Sequence, residues 1–193
     1  MPEFKNTVIH LFGYPGVGKY TIAKELSKLA GFRILDNQLI NNPIFTVVGA
    51  DGITPLPAKV WEYCLKIRTI VLDAVEELAE PDANFVLTNY ITRDDEIDNQ
   101  ATIDRFSKRN ANYYPVFLHC DLDIHKSRVV SEDRKVRMKD INPLSPERNR
   151  ENNALWMFEH LNRLEFDISA GTPQQAALDI LTRISELQKG RIL

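Results

Sequence analysis

Two textures of apolar residues alternate along the chain. Short unbroken runs rich in β-branched and aromatic residues occur at 7–12, 32–35, 84–88, 114–120 and 166–169. Runs of this length and composition predict buried strands. Between them the apolar positions spread to helical spacing. Ile22, Ala23, Leu26, Leu29 and Ala30 share one face of a helix predicted over 19–30, with Gly31 as its stop. Over 58–79, Trp61, Cys64, Leu65, Val71, Leu72, Val75 and Leu78 recur at the same spacing, interrupted by the polar Arg68. Helices are also predicted over 94–109 and 147–164, after Asp121 as a cap, and from Pro173 onward with Thr172 as its cap. Pro115 is expected at the start of its strand, where a missing donor matters least. Residues 37–57 are mixed and punctuated by prolines, and 131–146 are charged, with a turn at Asn142-Pro143.

Strands alternating with helices imply an α/β fold, a parallel sheet covered on both faces. Ligands of such sheets bind beyond the carboxyl ends of the strands. Gly13, Asp36, Asn89 and Asp121 each follow a predicted strand end closely, which makes them candidates for one cleft. The 193 residues suit a single domain. A net charge of −3 gives no long-range pull towards nucleic acid or an anionic membrane, so a phosphate ligand must be held by local groups.

Cys64 and Cys120 form no CxxC pair and read as buried free thiols in a reducing compartment. The first residues do not resemble a signal peptide, and no apolar run reaches the ~18 residues of a membrane helix. A cytoplasmic protein is the expectation. The four histidines show no metal-ligand spacing, and His10 and His119, both in strands, read as structural. Trp61 and Trp156 read as packing residues. The pattern fixes no oligomeric state.

The strongest signal is Gly13-Tyr14-Pro15-Gly16-Val17-Gly18-Lys19-Tyr20-Thr21, set between a predicted strand and a predicted helix. That context distinguishes a phosphate-binding loop from an ordinary glycine-rich turn. Glycine lets successive amides point into one concavity. The helix start adds partial positive charge, and Lys19 adds a mobile full charge for the β- and γ-phosphates. Tyr20 stands where a Ser or Thr hydroxyl ordinarily meets Mg²⁺, and its own hydroxyl lies too far out to replace it.

With this loop, the succession of strands and helices along the chain and the basic segment of Arg128, Arg134, Lys135, Arg137 and Lys139, the chain resembles the P-loop kinase group, which includes nucleoside monophosphate kinases, shikimate kinase and gluconate kinase. The loop itself is similar to that of adenylate kinases, which also lack the hydroxyl and hold the metal largely through water. The resemblance implies a five-stranded parallel sheet of order 2-3-1-4-5, a lid over 131–146, and ATP with Mg²⁺ as the cofactor pair. It implies an acceptor region within 37–82.

It also points to Asp36, the aspartate after the second strand, as the group that prepares an acceptor hydroxyl and holds Mg²⁺ through water. The alternative is a helix cap. Asn37 is its neighbour in the implied substrate site. Asn89-Tyr90-Ile91-Thr92-Arg93 has the spacing of the Asp-Gly-Phe-Pro-Arg motif of adenylate kinases, with a neutral Asn89 in place of the aspartate and Arg93 as a holder of an anionic acceptor. The resemblance places Arg128 against adenine and Arg134 on the transferring phosphoryl group, with Lys135, Arg137 and Arg148 as weaker candidates. A solvated charge run is the alternative, since Glu132, Asp133 and Asp140 are interleaved. Residues 169–173 resemble the loop lining the adenine pocket.

Three functions are therefore in play. The first is phosphoryl transfer from ATP to a hydroxyl of a small metabolite, carried by Lys19, Asp36 and Arg134. The second is the same donor with a nucleoside monophosphate acceptor. The third is a nucleotide-binding regulatory module with little catalysis, motivated by Tyr20 and Asn89.

Overall fold

The structure, a computed structural model, describes residues 3–135 and 138–190. Arg137 and the side chain of Lys135 lie outside what it describes. In chain order the elements are β1 (Thr7–Phe12), α1 (Lys19–Ala30), β2 (Arg33–Asp36), α2 (Asn37–Val47) and α3 (Ala58–Leu78). There follow β3 (Phe85–Asn89), a 3₁₀ turn (Arg93–Asp95), α4 (Glu96–Lys108), β4 (Asn112–His119), α5 (Leu122–Val129) and α6 (Glu132–Lys135). The chain ends with α7 (Ser145–Asn152), β5 (Leu164–Asp167) and α8 (Pro173–Lys189).

The five strands form one parallel sheet in the order β2-β3-β1-β4-β5, as the family resemblance implied. Alternation within β1 divides the core. Ile9 and Leu11 face α1 and α8 and pack with Ile22, Leu26, Ile180 and Ile184. Val8 faces the other way, with Leu72 and Val75 of α3 and Ile103 and Phe106 of α4. A strand buried on both faces needs apolar residues throughout, which is why these segments read as runs. Both cysteines are free and buried. Among the described residues no helix is long and apolar enough to cross a membrane.

The register brings the strand exits level. Phe12 pairs with Asn89, and Asp36 with Thr88. Gly13, which follows β1, donates its N–H to the carbonyl of Asn89 at 3.2 Å. The loop after β1 is thus stitched to the end of β3.

Four sequence expectations need correction. Residues 37–47 form a helix despite Pro43 in its interior. Asp36 caps that helix by accepting from the N–H of Leu39, and burial of Asn41 and Phe45 with packing on α3 compensates the hydrogen bond that proline removes. The helix predicted over 147–164 stops at Asn152. Beyond it the consecutive residues Leu155, Trp156, Met157 and Phe158 all pack on Phe12, Ile91 and Phe117, which one helical stripe cannot arrange. Pro115 sits inside β4, but pairing with β5 begins only at Val116, so one side of the proline lies outside the ladder. Asp121 occupies the cap position of α5 without a side-chain capping bond.

Candidate active site

The strand exits open on a cavity of about 800 Å³. Its floor is the loop, with residues Pro15 to Thr21 all lining it. Gly18 is the N-terminal cap of α1, and Gly16 and Gly18 hold φ of +97° and +123°. An L side chain rarely adopts these values, which explains why glycine stands at both positions. The first amides of α1 have no intrahelical acceptor and therefore offer donors to an anion in the cavity. Gly13 and Tyr14, included in the predicted loop, stand behind the wall. Gly13 is buried, and the Tyr14 hydroxyl accepts from the N–H of Leu155 at 3.1 Å.

Lys19 is half-buried, and its Nζ donates to the carbonyls of Gly13 (2.6 Å) and Tyr14 (3.0 Å). Burial lowers its pKa to about 7. Asp36 works against that shift, while Lys139 and Arg134 add to it. An ammonium so close to neutrality gains much from a phosphate, because the anion restores the charged form.

Asp36 is 4% exposed and lines the cavity. Its Oδ1 accepts from the Thr88 hydroxyl at 2.6 Å, its Oδ2 accepts from the Leu39 N–H at 3.3 Å, and Lys139 Nζ lies 3.9 Å from Oδ2. Asp36 thus caps α2 and at the same time presents a fixed carboxylate to the cavity. Asn37 lines the cavity beside it, its backbone N–H bonded to Thr88 Oγ1 at 3.3 Å. Tyr20 also faces the cavity, and the ammonium groups of Lys139 and Lys24 lie 4.8 and 5.3 Å from its ring centroid. Where the usual hydroxyl is missing, an aromatic face helps to seat Lys139 near Asp36.

Asn89 is 4% exposed and lines the same cavity. Its Oδ1 lies 2.9 Å from His10 Nε2, and His10 Nδ1 lies 2.6 Å from the Tyr113 hydroxyl. The buried hydroxyl proton of Tyr113 has His10 Nδ1 as its acceptor, so the proton of the neutral imidazole sits on Nε2 and is donated to Asn89. Burial keeps His10 neutral, with a pKa lowered to about 3. The Asn89 oxygen is thereby occupied, and its amide N–H₂ is left for the cavity. This position offers a donor where an aspartate would offer an acceptor.

Arg128 lines the cavity but is tied down. It donates to the carbonyls of Val17 and Ile168, both at 2.8 Å, clamping the loop to the exit of β5. Arg134 donates through Nε and Nη2 to the carbonyl of Asp140 (3.0 and 2.6 Å), and its guanidinium carbon lies 3.6 Å from where a Cβ on Gly16 would stand. Arg148 and residues Ala170 to Pro173 complete that end. Arg93 is not brought in. It is exposed, pairs with Glu96 at 3.2 Å and lies over Trp156 at 5.2 Å.

His125, missed in the sequence, holds the loop from below, its Nε2 2.8 Å from the carbonyl of Pro15. Its one sequence signal was a place four residues after Asp121. Lys139 was visible only as part of a charge run, and Thr88 carried no signal.

No protein-family model matches the chain, and no curated protein matches it in sequence. Solved structures match it in fold. A gluconokinase from Sinorhizobium meliloti 1021 is 15% identical over 98% of this chain and 99% of its own, with a TM-score of 0.63. An unliganded sugar kinase from Janibacter sp. HTCC2649 is 15% identical over 95% of both chains, at 0.62. The fold is that of the P-loop small-molecule kinases. A shikimate kinase from Acinetobacter baumannii, solved with shikimate, shares this kinase fold at 20% identity over 93% of both chains, at 0.52. At such identities the likeness establishes the fold, and the chemistry rests on the residues of this cavity.

Proposed function

We propose that the protein transfers the γ-phosphoryl group of ATP to a hydroxyl group of a small molecule. One observation carries this reading: Lys19 on its phosphate-binding loop and the anchored carboxylate of Asp36 open on the same cavity, with room beyond Asp36 for an acceptor. Lys19 and the first amides of α1 hold the β- and γ-phosphates. The acceptor oxygen attacks the γ-phosphorus, the bond to the bridging oxygen of ADP breaks, and the hydroxyl proton passes to Asp36. Arg134, beside Gly16, meets the charge that develops on the phosphoryl oxygens, and Asn89 contributes an N–H donor.

Among the described residues no cluster of three His, Cys, Asp or Glu is arranged to hold a metal. Mg²⁺ at nucleotide sites takes one or two carboxylates, phosphate oxygens and waters. Asp36 fits that mode through water, with Tyr20 and Asn89 contributing no ligand. When bound, the ion supplies charge neutralisation on the phosphates.

The test is ADP release against a panel of hydroxyl acceptors, with binding of the non-hydrolysable analogue AMPPNP measured by calorimetry. Acceptor-dependent ADP release supports the reading. Tyr20 and the neutral Asn89 favour a second one, a nucleotide-binding module with little transfer, and AMPPNP binding without turnover across the panel selects it. Failure to bind AMPPNP refutes both. Arg93, which motivated a nucleoside monophosphate acceptor, stands outside the cavity and supports no such acceptor.

A further inference from the structure

The end of the cavity beyond Asp36 is built differently from the loop end. Phe45, Ala50, Ile53, Leu56, Trp61 and Met138 all line it. Phe45 and Trp61 meet edge to face at 5.7 Å. Trp61 remains 51% exposed and Ile53 63% exposed, so this wall turns large apolar faces to the cavity. Such surface gains free energy when a ligand covers it.

The wall is also uncharged. The residues of the 37–61 region that line the cavity are all neutral, and the nearest charge that α2 carries there is the anion Asp36 at its cap. Of the cavity's cations, Lys19, Arg128 and Arg134 attend the loop and Arg148 donates to Ser145 Oγ at 3.2 Å. Lys139, whose backbone lies against Gly52, has its ammonium 3.9 Å from Asp36, whose carboxylate balances it.

One polar group on this wall lacks a partner. Asn41 lines the cavity and is 5% exposed, yet its side chain makes no hydrogen bond among the described residues. Its amide is not among the fully buried polar atoms that lack a partner, so it opens to the cavity, where a ligand group can take the place of water. It lies five residues beyond Asp36, about 7.5 Å along the axis of α2. An amide offers one donor and one acceptor side, which matches a hydroxyl or a neutral carbonyl and carries no charge to balance an anion.

We infer that the acceptor is an uncharged hydroxyl compound with an aromatic or branched aliphatic body. That body lies against Trp61 and Ile53, a second polar group bonds to Asn41, and the reacting hydroxyl faces Asp36. The inference rests on the phosphotransferase reading above and narrows it: sugar acids, shikimate-like carboxylates and nucleoside monophosphates are poor ligands of this wall.

A matched pair of probes tests this on the full chain. 1-Phenyl-1,2-ethanediol and mandelate share a ring and a hydroxyl and differ in carrying a hydroxymethyl or a carboxylate. Each is titrated, with and without AMPPNP and Mg²⁺, while Trp61 fluorescence is followed in a Trp156→Phe background. The diol is expected to perturb Trp61 and to bind at least about fivefold tighter than mandelate, the range of one well-made neutral hydrogen bond and an avoided buried charge. Asn41→Leu is expected to weaken the diol by about fivefold.

Mandelate binding as tightly as the diol, or no response of Trp61 to the diol, overturns the inference. AMPPNP calorimetry on the same samples is read separately. A flat trace there sinks the nucleotide reading, while the order of the two probes at Trp61 still decides the acceptor class.

Discussion

The two ends of the cavity are held in different ways. At the loop end almost every group is tied. Arg128 bridges Val17 and Ile168, His125 holds Pro15, Gly13 is bonded to Asn89, and Lys19 is bonded to its own loop. At the far end Trp61 and Ile53 stand half open, and the Asn41 side chain makes no hydrogen bond among the described residues. On the proposed function, the difference separates two tasks. Preorganised donors stabilise developing charge most when they need not move, so rigidity belongs where the phosphates go. Selectivity for one acceptor comes from apolar area and a single polar match, which need a ligand to be completed.

Substitutions can break or sharpen that contrast. The largest effect is expected from Asp36→Asn, which removes the proposed proton acceptor at the junction of the two ends. Turnover should fall about 10²- to 10⁴-fold with little change in AMPPNP affinity. Steady-state rates and calorimetry on one preparation separate the two, and unchanged turnover would remove Asp36 from the mechanism. Lys19→Ala should weaken AMPPNP by about 2–3 kcal/mol, the worth of charge-assisted hydrogen bonds, while leaving the far end intact by Trp61 fluorescence.

Gly16→Ala tests the rigidity of the loop end. A Cβ there would stand 2.4 Å from Val129 Cγ2, at a φ of +97°. The overlap and the strained backbone should together cost about 2–4 kcal/mol, read as a lower unfolding midpoint.

The smallest effects concern pH. His10 titrates near 3 when folded and near 6.5 when unfolded. The unfolded chain therefore binds more protons between those values, and stability falls as pH drops through that window. His10→Gln should flatten this acid limb in urea titrations at pH 4 to 6.5, and an unchanged slope would remove His10 as its source. Lys19, with a pKa of about 7, should take up a proton as it meets phosphate. AMPPNP binding should then weaken as pH rises from 7 to 9, and its apparent enthalpy should vary with the ionisation enthalpy of the buffer.

The loop end was legible in the sequence because its determinants are local. A strand, a glycine-rich turn and a lysine at fixed spacing lie within fifteen residues, and Asp36 and Asn89 follow strands whose exits the sheet must align. The strand order was reached only through family resemblance, since spacing does not encode which strands are neighbours. The far end was opaque for a physical reason. Pro43 left the α2 segment reading as mixed, and Phe45, Leu56 and Trp61 converge from three segments that no periodicity relates. Arg93 misled in the opposite way, matching a motif by spacing while the fold turned it outward towards Glu96 and Trp156. Residues 153–163 defeated the helical reading because packing on Phe12 and Phe117 outweighed local preference.

The bonds from Lys19 to the carbonyls of Gly13 and Tyr14 carry one further consequence. The loop's own carbonyls hold the lysine. Its ammonium already has two oxygens, so a stray monovalent anion must displace both and returns little. A polyphosphate replaces them with several charged oxygens at once and reaches the helix amides as well. On the proposed function, discrimination in favour of long phosphate chains is thus set before any ligand arrives, by what the lysine gives up to greet it.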